Sequence, residues 1–266
     1  MSLTICISSD MTGYPGGGGH QWVFLNWALG FLSLGCRVIL LERIPKSWPR
    51  DAVDSMWSKW TQWLAPYGLD RSVAVLSHST PLPSGCLTLE DATAADLLLN
   101  FRYGLSQEIV NRFRRTGLVD IDPGLLQLWI SAGQVEVAKH DHYFTTGETV
   151  GRPGSGIPSA GLEWRRTRPC VALDWWPVQS AADDAPFTTV SHWYADEWVV
   201  DEQGPYSNDK RSGFLPFLDL PGRTSIPLEL ALCLGSSEEE ERASLVKQGW
   251  HIKHSSEVAG SAEAYR

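Results

Sequence analysis

The sequence predicts an α/β protein: a doubly wound, mainly parallel Rossmann-like sheet followed by a partial second α/β domain. Three observations carry this reading. Short, almost wholly apolar runs alternate with stretches of helical period, the pattern of successive βαβ units. The runs lack the in–out alternation of a half-exposed strand, so both of their faces are expected to be covered. The first run is joined to the first helix by four consecutive glycines, Gly16 to Gly19.

The elements follow in order. Leu3–Ser8 reads as the first buried strand, and Gln21–Leu34 as a helix with Val23, Phe24, Trp27, Phe31 and Leu34 at helical spacing. Gly35 stops it. Arg37–Glu42 is a second strand, nearly all apolar. Asp51–Leu64 is a helix whose stripe of Trp57, Trp60 and Leu64 reads as core. Val73–Leu76, Asp96–Asn100, Leu118–Ile121 and Tyr143–Thr145 are further strands. Helices are expected from Ser106 to Arg115 and from Leu125 to Ser131. Ser79–Gly85 is a loop by its prolines and glycine. Arg152–Pro169, rich in Gly, Pro and Arg, reads as a long connection, and Val171–Trp176 as a strand or extended segment. Gln179–Pro186 is the best linker, so the domains are placed at 1–178 and 187–266. In the second, Phe187–His192, Ile226–Leu234 and Trp250–Lys253 are apolar or strand-like, and Glu238–Gln248 is an acidic helix. That region has few strands and a small core. It looks like the start of a domain, and it is expected to expose apolar surface and promote self-association.

Composition narrows the function. Residues 1–180 carry 16 acidic and 15 basic side chains, and residues 181–266 carry 15 and 7, so the overall charge of −9 argues against non-specific nucleic-acid binding. The five cysteines, Cys6, Cys36, Cys86, Cys170 and Cys233, never form a Cys-x-x-Cys pair and are expected to be reduced thiols. The N-terminus lacks a basic segment followed by an apolar one. No apolar run approaches the roughly 18 residues of a membrane span, so a cytoplasmic location is expected.

In a doubly wound sheet, ligands sit beyond the carboxyl ends of the strands. The loops there are Asp10–His20, Glu42–Pro45, Asn100–Tyr103, Asp120–Gly124 and Thr146–Gly151, and they are expected to converge. The glycine loop opens a helix, so its backbone N–H groups and the helix N-terminus attract an anion or a polar sugar. Gly16, Gly17, Gly18 and Gly19, with Thr146 and Gly147, form the candidate ligand- or phosphate-binding loop set. Glu42 ends the second strand, where dinucleotide folds use an acid to grip a ribose, but the glycines do not follow the tight Gly-x-Gly-x-x-Gly pattern. No Gly-x-Ser-x-Gly elbow and no Gly-Lys-Ser/Thr phosphate loop is present.

Several stretches as a set resemble bacterial glycosyltransferase-like proteins of the two-Rossmann-domain (GT-B) type. They are Gly16–His20 with Gln21 to Trp27, Val38–Glu42, Asp120–Gly124, His140-Asp141 with Tyr143 to Glu148, and Thr167-Arg168-Pro169. The resemblance implies an N-terminal domain that binds the acceptor and a C-terminal domain that binds a nucleotide-sugar donor. Transfer would occur in the cleft between them, with the nucleotide sugar as co-substrate and no cofactor or metal. It also implies that the C-terminal half is cut short, so that most of the donor site lies outside these 266 residues.

Sugar transfer needs a base for the acceptor hydroxyl, stabilisation of the departing diphosphate, and positioning. Under the resemblance the candidate catalytic residues are His20 as base, with Asp122 or Glu148 orienting it or acting in its place. Asp120, inside its strand, reads as structural. Two other readings stay open. One is a non-catalytic binding module of the same ancestry. The other is a metal site on His140 and His142 with Asp122, although that pair precedes its strand and so lies at the sheet end away from the expected cleft.

Overall fold

The computed structural model describes residues 2–14, 17–44, 47–76, 82–195, 198–201, 204–207 and 209–266. The chain folds as two compact units: Met1–Pro15 with His20–Ala172, and Gly16–Gly19 with Leu173–Arg266.

The first unit is built from alternating strands and helices. Its strands are β1 (Thr4–Ser8), β2 (Arg37–Arg43), β3 (Val73–Leu76), β4 (Leu97–Asn100), β5 (Thr116–Asp120), β6 (His142–Thr145) and β7 (Trp164–Arg166). Between them lie α1 (Gly18–Ser33), α2 (Arg50–Leu64), α3 (Leu89–Thr93), α4 (Gln107–Val110) and α5 (Leu125–Ser131). The sheet order is β3-β2-β1-β4-β5-β6-β7, and every pairing is parallel. Its first six strands follow the 3-2-1-4-5-6 Rossmann order, with β7 added at the edge. Continuous burial explains the unbroken apolar strands: β3 is buried throughout, and β2 is buried from Val38 to Glu42. One core layer gathers Cys6, Ile39, Leu41, Leu98, Val110 and Phe113.

Local differences from the sequence reading have tertiary causes. Helix α1 buries Trp22, Phe24, Leu25, Ala28 and Leu29; of the expected stripe Phe24 is buried, Val23, Trp27 and Phe31 are half-buried and Leu34 is exposed. An apolar helix covered on nearly all sides has no single stripe to read. On α2 the Trp57, Trp60 and Leu64 stripe is core, as expected. The helix expected over Ser106–Arg115 is only the single turn α4, because the carbonyl of Arg115 accepts the Leu98 N–H at 2.9 Å and β5 starts at Thr116. The connection expected over Arg152–Pro169 contains β7. The Arg166 side chain donates there to the Glu148 carbonyl at 2.8 Å and the Val150 carbonyl at 3.0 Å, closing the loop after β6. Val171–Trp176 includes a 3-10 turn at Leu173–Trp175, not a strand.

The second unit holds β8 (Phe187–His192), β9 (Trp198–Asp201), β10 (Gly204–Ser207), α6 (Arg211–Phe214), β11 (Leu228–Cys233), α7 (Glu239–Lys247), β12 (His251–His254), α8 (Ser255–Ala259) and α9 (Ala262–Tyr265). β12, β11 and β8 form a parallel sheet in that order, again the 3-2-1 order of a Rossmann half. β9 and β10 form a separate antiparallel pair. The core of this unit is Trp193, Leu230, Leu232, Leu245 and Trp250. The Trp193 ring donates to Glu241 at 3.0 Å, and Arg211 pairs with the same carboxylate at 2.7 Å. Gly18 and Gly19 group with this unit, where Ser261 O and the Tyr265 ring leave no room for a Cβ on either.

Candidate functional site

The strand order reverses between β1 and β4, and in open α/β sheets that switch point opens the ligand crevice. The register specifies which residues meet there. Ser8 aligns with Leu41 of β2 and with Asn100 of β4. Two residues further along each strand stand Asp10, Arg43 and Arg102. The ladder continues partway toward them, because the Ser9 N–H donates to the Leu41 carbonyl at 3.2 Å and the Phe101 N–H to the Ser8 carbonyl at 3.1 Å.

Glu42 sets the shape of the loop after β1. It is fully buried, and its carboxylate accepts the Ser9 hydroxyl, the Met11 N–H at 3.1 Å, the Thr12 N–H at 3.3 Å and the Thr12 hydroxyl at 2.8 Å. Burial pushes its pKa up, against the pull of the Ser9 and Thr12 hydroxyls and the two backbone donors. All of its lone pairs serve the loop, so Glu42 is a structural anchor and not a ribose grip.

The loop so held presents Asp10 to Arg102. The Arg102 side chain is 12% exposed, and its Nη1 lies 3.4 Å from Asp10 Oδ1. That nitrogen is buried without a hydrogen bond among the described residues. Burial draws the Arg102 pKa down; Asp10 opposes this, Arg43 adds to it, and Glu42 opposes it. The Arg102 N–H donates to Asn100 Oδ1 at 2.9 Å, and Asn100 Nδ2 lies 3.2 Å from His140 Nε2. His140 Nδ1 lies 2.7 Å from the Ala138 carbonyl, which can only accept, so Nδ1 carries the proton and Nε2 accepts from Asn100. Burial lowers the His140 pKa.

His20 stands in the first turn of α1, with Nε2 3.1 Å from the Asp10 carbonyl. That oxygen also accepts the Gly13 N–H at 3.2 Å. A carbonyl cannot donate, so Nε2 carries the proton and Nδ1 of the neutral ring keeps its lone pair. The imidazole is gripped edge-on between Tyr14 and Phe24, at centroid distances of 5.7 and 5.0 Å. Tyr14 and Tyr103 are exposed beside the loops after β1 and β4.

A second polar cluster follows β5 and β6. Asp120 Oδ2 accepts from Gln127 Nε2 at 2.6 Å and the Thr145 hydroxyl at 2.7 Å, and its Oδ1 accepts the Asp122 N–H at 3.1 Å. Gln127 Oε1 accepts the Gly124 N–H at 2.6 Å, and Thr145 Oγ1 accepts the Gly147 N–H at 3.0 Å. Gly124 has φ 110°, which only glycine adopts without strain. A Cβ on Gly147 would strike Pro123 and Val150.

The predicted residues are thus distributed as follows. His20, Asp122 and Glu148 all follow carboxyl ends of strands in one sheet. The hydrogen bond of the His20 ring goes to the Asp10 carbonyl, however, and not to Asp122 or Glu148. Asp122 is exposed in the turn after β5, and Glu148 is exposed after β6. Thr146 donates its N–H to the Asp120 carbonyl at 3.1 Å, and Gly147 is buried. Gly16 lies outside the described residues, and Gly17 to Gly19 precede His20. His140 and His142 are not brought together as ligands. Both ring nitrogens of His140 are engaged, His142 is exposed, and the Asp141 carboxylate accepts the Thr116 N–H at 2.7 Å. Among the described residues no group of three or more His, Cys, Asp or Glu is placed to hold a metal. The sequence reading missed Asp10 and Arg102. Each sits two residues past an apolar run, a signal that gains meaning only once β1 and β4 are known to be neighbours.

No protein-family model and no curated protein sequence matches this chain. Among solved structures it is similar to an alpha-glucosyltransferase in complex with UDP and a 13-mer DNA containing a central A:G mismatch. The TM-score is 0.47 at 11% identity, over 98% of this chain and 70% of that one. The strand order and register of the first unit define the class: a Rossmann-like, doubly wound α/β protein with polar side chains gathered beyond its switch point. The five cysteines are free thiols, and among the described residues no helix is long and apolar enough to cross a membrane.

Proposed function

We propose that this chain is a GT-B-type glycosyltransferase-like protein that moves a sugar from a nucleotide-sugar donor to an acceptor bound at the switch-point crevice. The observation that carries this reading is the orientation of His20. The Asp10 carbonyl holds its Nε2 proton, which leaves Nδ1 as a proton acceptor, and the Asp10 side chain pairs with Arg102. In the transfer the acceptor oxygen bonds to the anomeric carbon, the bond to the diphosphate breaks, and Nδ1 takes the hydroxyl proton. Exposed Tyr14 and Tyr103 suit the apolar face of a sugar ring. The nucleotide sugar is a co-substrate, and no cofactor is invoked. Asp122 and Glu148, in the loops after β5 and β6, remain candidates for orienting the base or acting in its place.

A second reading, a binding module that holds an acceptor without transferring sugar, is favoured by the small three-stranded parallel sheet of the second unit. One experiment separates the two. The full chain is incubated with a panel of UDP-, GDP- and dTDP-sugars, and release of nucleoside diphosphate and thermal stabilisation are followed. Transfer predicts both signals for at least one donor. Absence of both across the panel overturns the transferase reading.

A further inference from the structure

We propose that the crevice beyond β1 and β4 takes an oxyanion borne by the acceptor, a phosphate or carboxylate group, with Arg102 as its principal ligand and Arg43 as a second cation. This deepens the function proposed above and rests on it for the word acceptor; the anion site itself is argued from the side chains.

Arg102 Nη1 is out of water and has no hydrogen-bond acceptor among the described residues. Its only ion pair among them is with Asp10, at 3.4 Å. The Asp10 side chain is 48% exposed, accepts no hydrogen bond among the described residues, and lies over the bare Cα of Gly13, where a Cβ would stand 3.0 Å from its oxygens. The carboxylate is therefore a loose partner with room to swing aside. Arg43 is exposed at the end of β2, makes no ion pair among the described residues, and stands near enough to act on the charge of Arg102. Glu42 acts favourably on the Arg102 charge but forms no ion pair with it, and its oxygens already accept from Ser9, Met11 and Thr12. The Arg102 guanidinium thus has one weakly held ion-pair partner and a second cation, Arg43, acting on its charge. A planar guanidinium pairs best with an oxyanion that accepts from two of its N–H groups, and such pairing relieves a desolvated donor.

The test is calorimetric binding to the full chain, with three probes: inorganic phosphate, a hexose 6-phosphate and the uncharged hexose. The hexose phosphate is expected to bind at least about tenfold more tightly than either of the others. Arg102→Gln is expected to weaken it by about tenfold or more, and Asp10→Asn to tighten it by removing the competing carboxylate. Because Asp10→Asn acts in the opposite sense, a folding defect in Arg102→Gln does not protect the proposal. Unchanged or weaker binding in Asp10→Asn, or wild-type binding in folded Arg102→Gln, overturns it. Inorganic phosphate binding as tightly as the hexose phosphate overturns the acceptor assignment, since the site then takes the free ion. Donor turnover is scored separately. Arg102-dependent anion binding without turnover of any donor refutes the transferase reading alone, and turnover on neutral acceptors without anion binding refutes this proposal alone.

Discussion

Two polar clusters lie beyond the carboxyl ends of the same sheet, one after β5 and β6 and one between β1 and β4. In the first, Asp120, Gln127 and Thr145 satisfy one another and the N–H groups of Asp122, Gly124 and Gly147. In the second, Glu42 is equally committed to its loop, but Arg102 Nη1 has no acceptor among the described residues and His20 Nδ1 keeps its lone pair. The difference teaches how to tell scaffold from site. A buried polar group whose partners are all internal holds the chain in place, whereas one left wanting is available to a ligand.

The largest test of that contrast is His20→Ala. If Nδ1 is the base, turnover falls by roughly 10²–10⁴-fold while donor binding is kept. An unchanged kcat would remove His20 from the mechanism and make the first-turn histidine as structural as Asp120. Next comes Glu42→Ala, which strands the N–H groups of Met11 and Thr12 and the Ser9 hydroxyl. Each orphaned donor costs about 1–3 kcal/mol, so a total loss on the order of 3 kcal/mol is expected. Calorimetric unfolding should then shift down by about 6–12 °C. A variant that melts like the wild type would show that the loop does not depend on this acid.

Asp120→Asn is expected to cost about 1–3 kcal/mol, because in either orientation the amide N–H₂ faces a donor, the Asp122 N–H or those of Gln127 and Thr145. Turnover of the folded variant should be unchanged, and a specific loss of kcat would break the division between scaffold and site. The smallest expected effect is on pH dependence. Burial lowers the His140 pKa, so between its ordinary value of 6.5 and its lower folded value the unfolded chain binds more protons. Stability from this group is therefore present above about pH 6.5 and is lost as pH falls below it. His140→Gln should flatten the slope of melting temperature against pH below about 6.5, and an unaltered slope would assign it to other groups.

Much of the scaffold was legible because the strands are buried on both faces. Ile5 to Ser8, Val38 to Leu41 and Val73 to Leu76 announce themselves as apolar runs, and Trp57, Trp60 and Leu64 as a core stripe. Short or edge elements were not. β7 is three residues of Trp-Arg-Arg, and its strand character comes from pairing with β6. α4 shrank because β5 drew Thr116 into the sheet.

The candidate site divides in the same way. Sequence alone placed His20 at the opening of a helix after a glycine loop, and located the loops after each strand, because local spacing and glycine chemistry act over a few residues. It also gave Asp120 its structural role. Only the tertiary structure brought Asp10, Arg43 and Arg102 together, since they are separated by dozens of residues and meet through the 3-2-1-4 order and the register of Ser8 with Leu41 and Asn100. Only it showed that Glu42 is spent on the loop, which leaves Arg102 with a loosely held partner. Hydrogen-bond satisfaction depends on which groups meet in space.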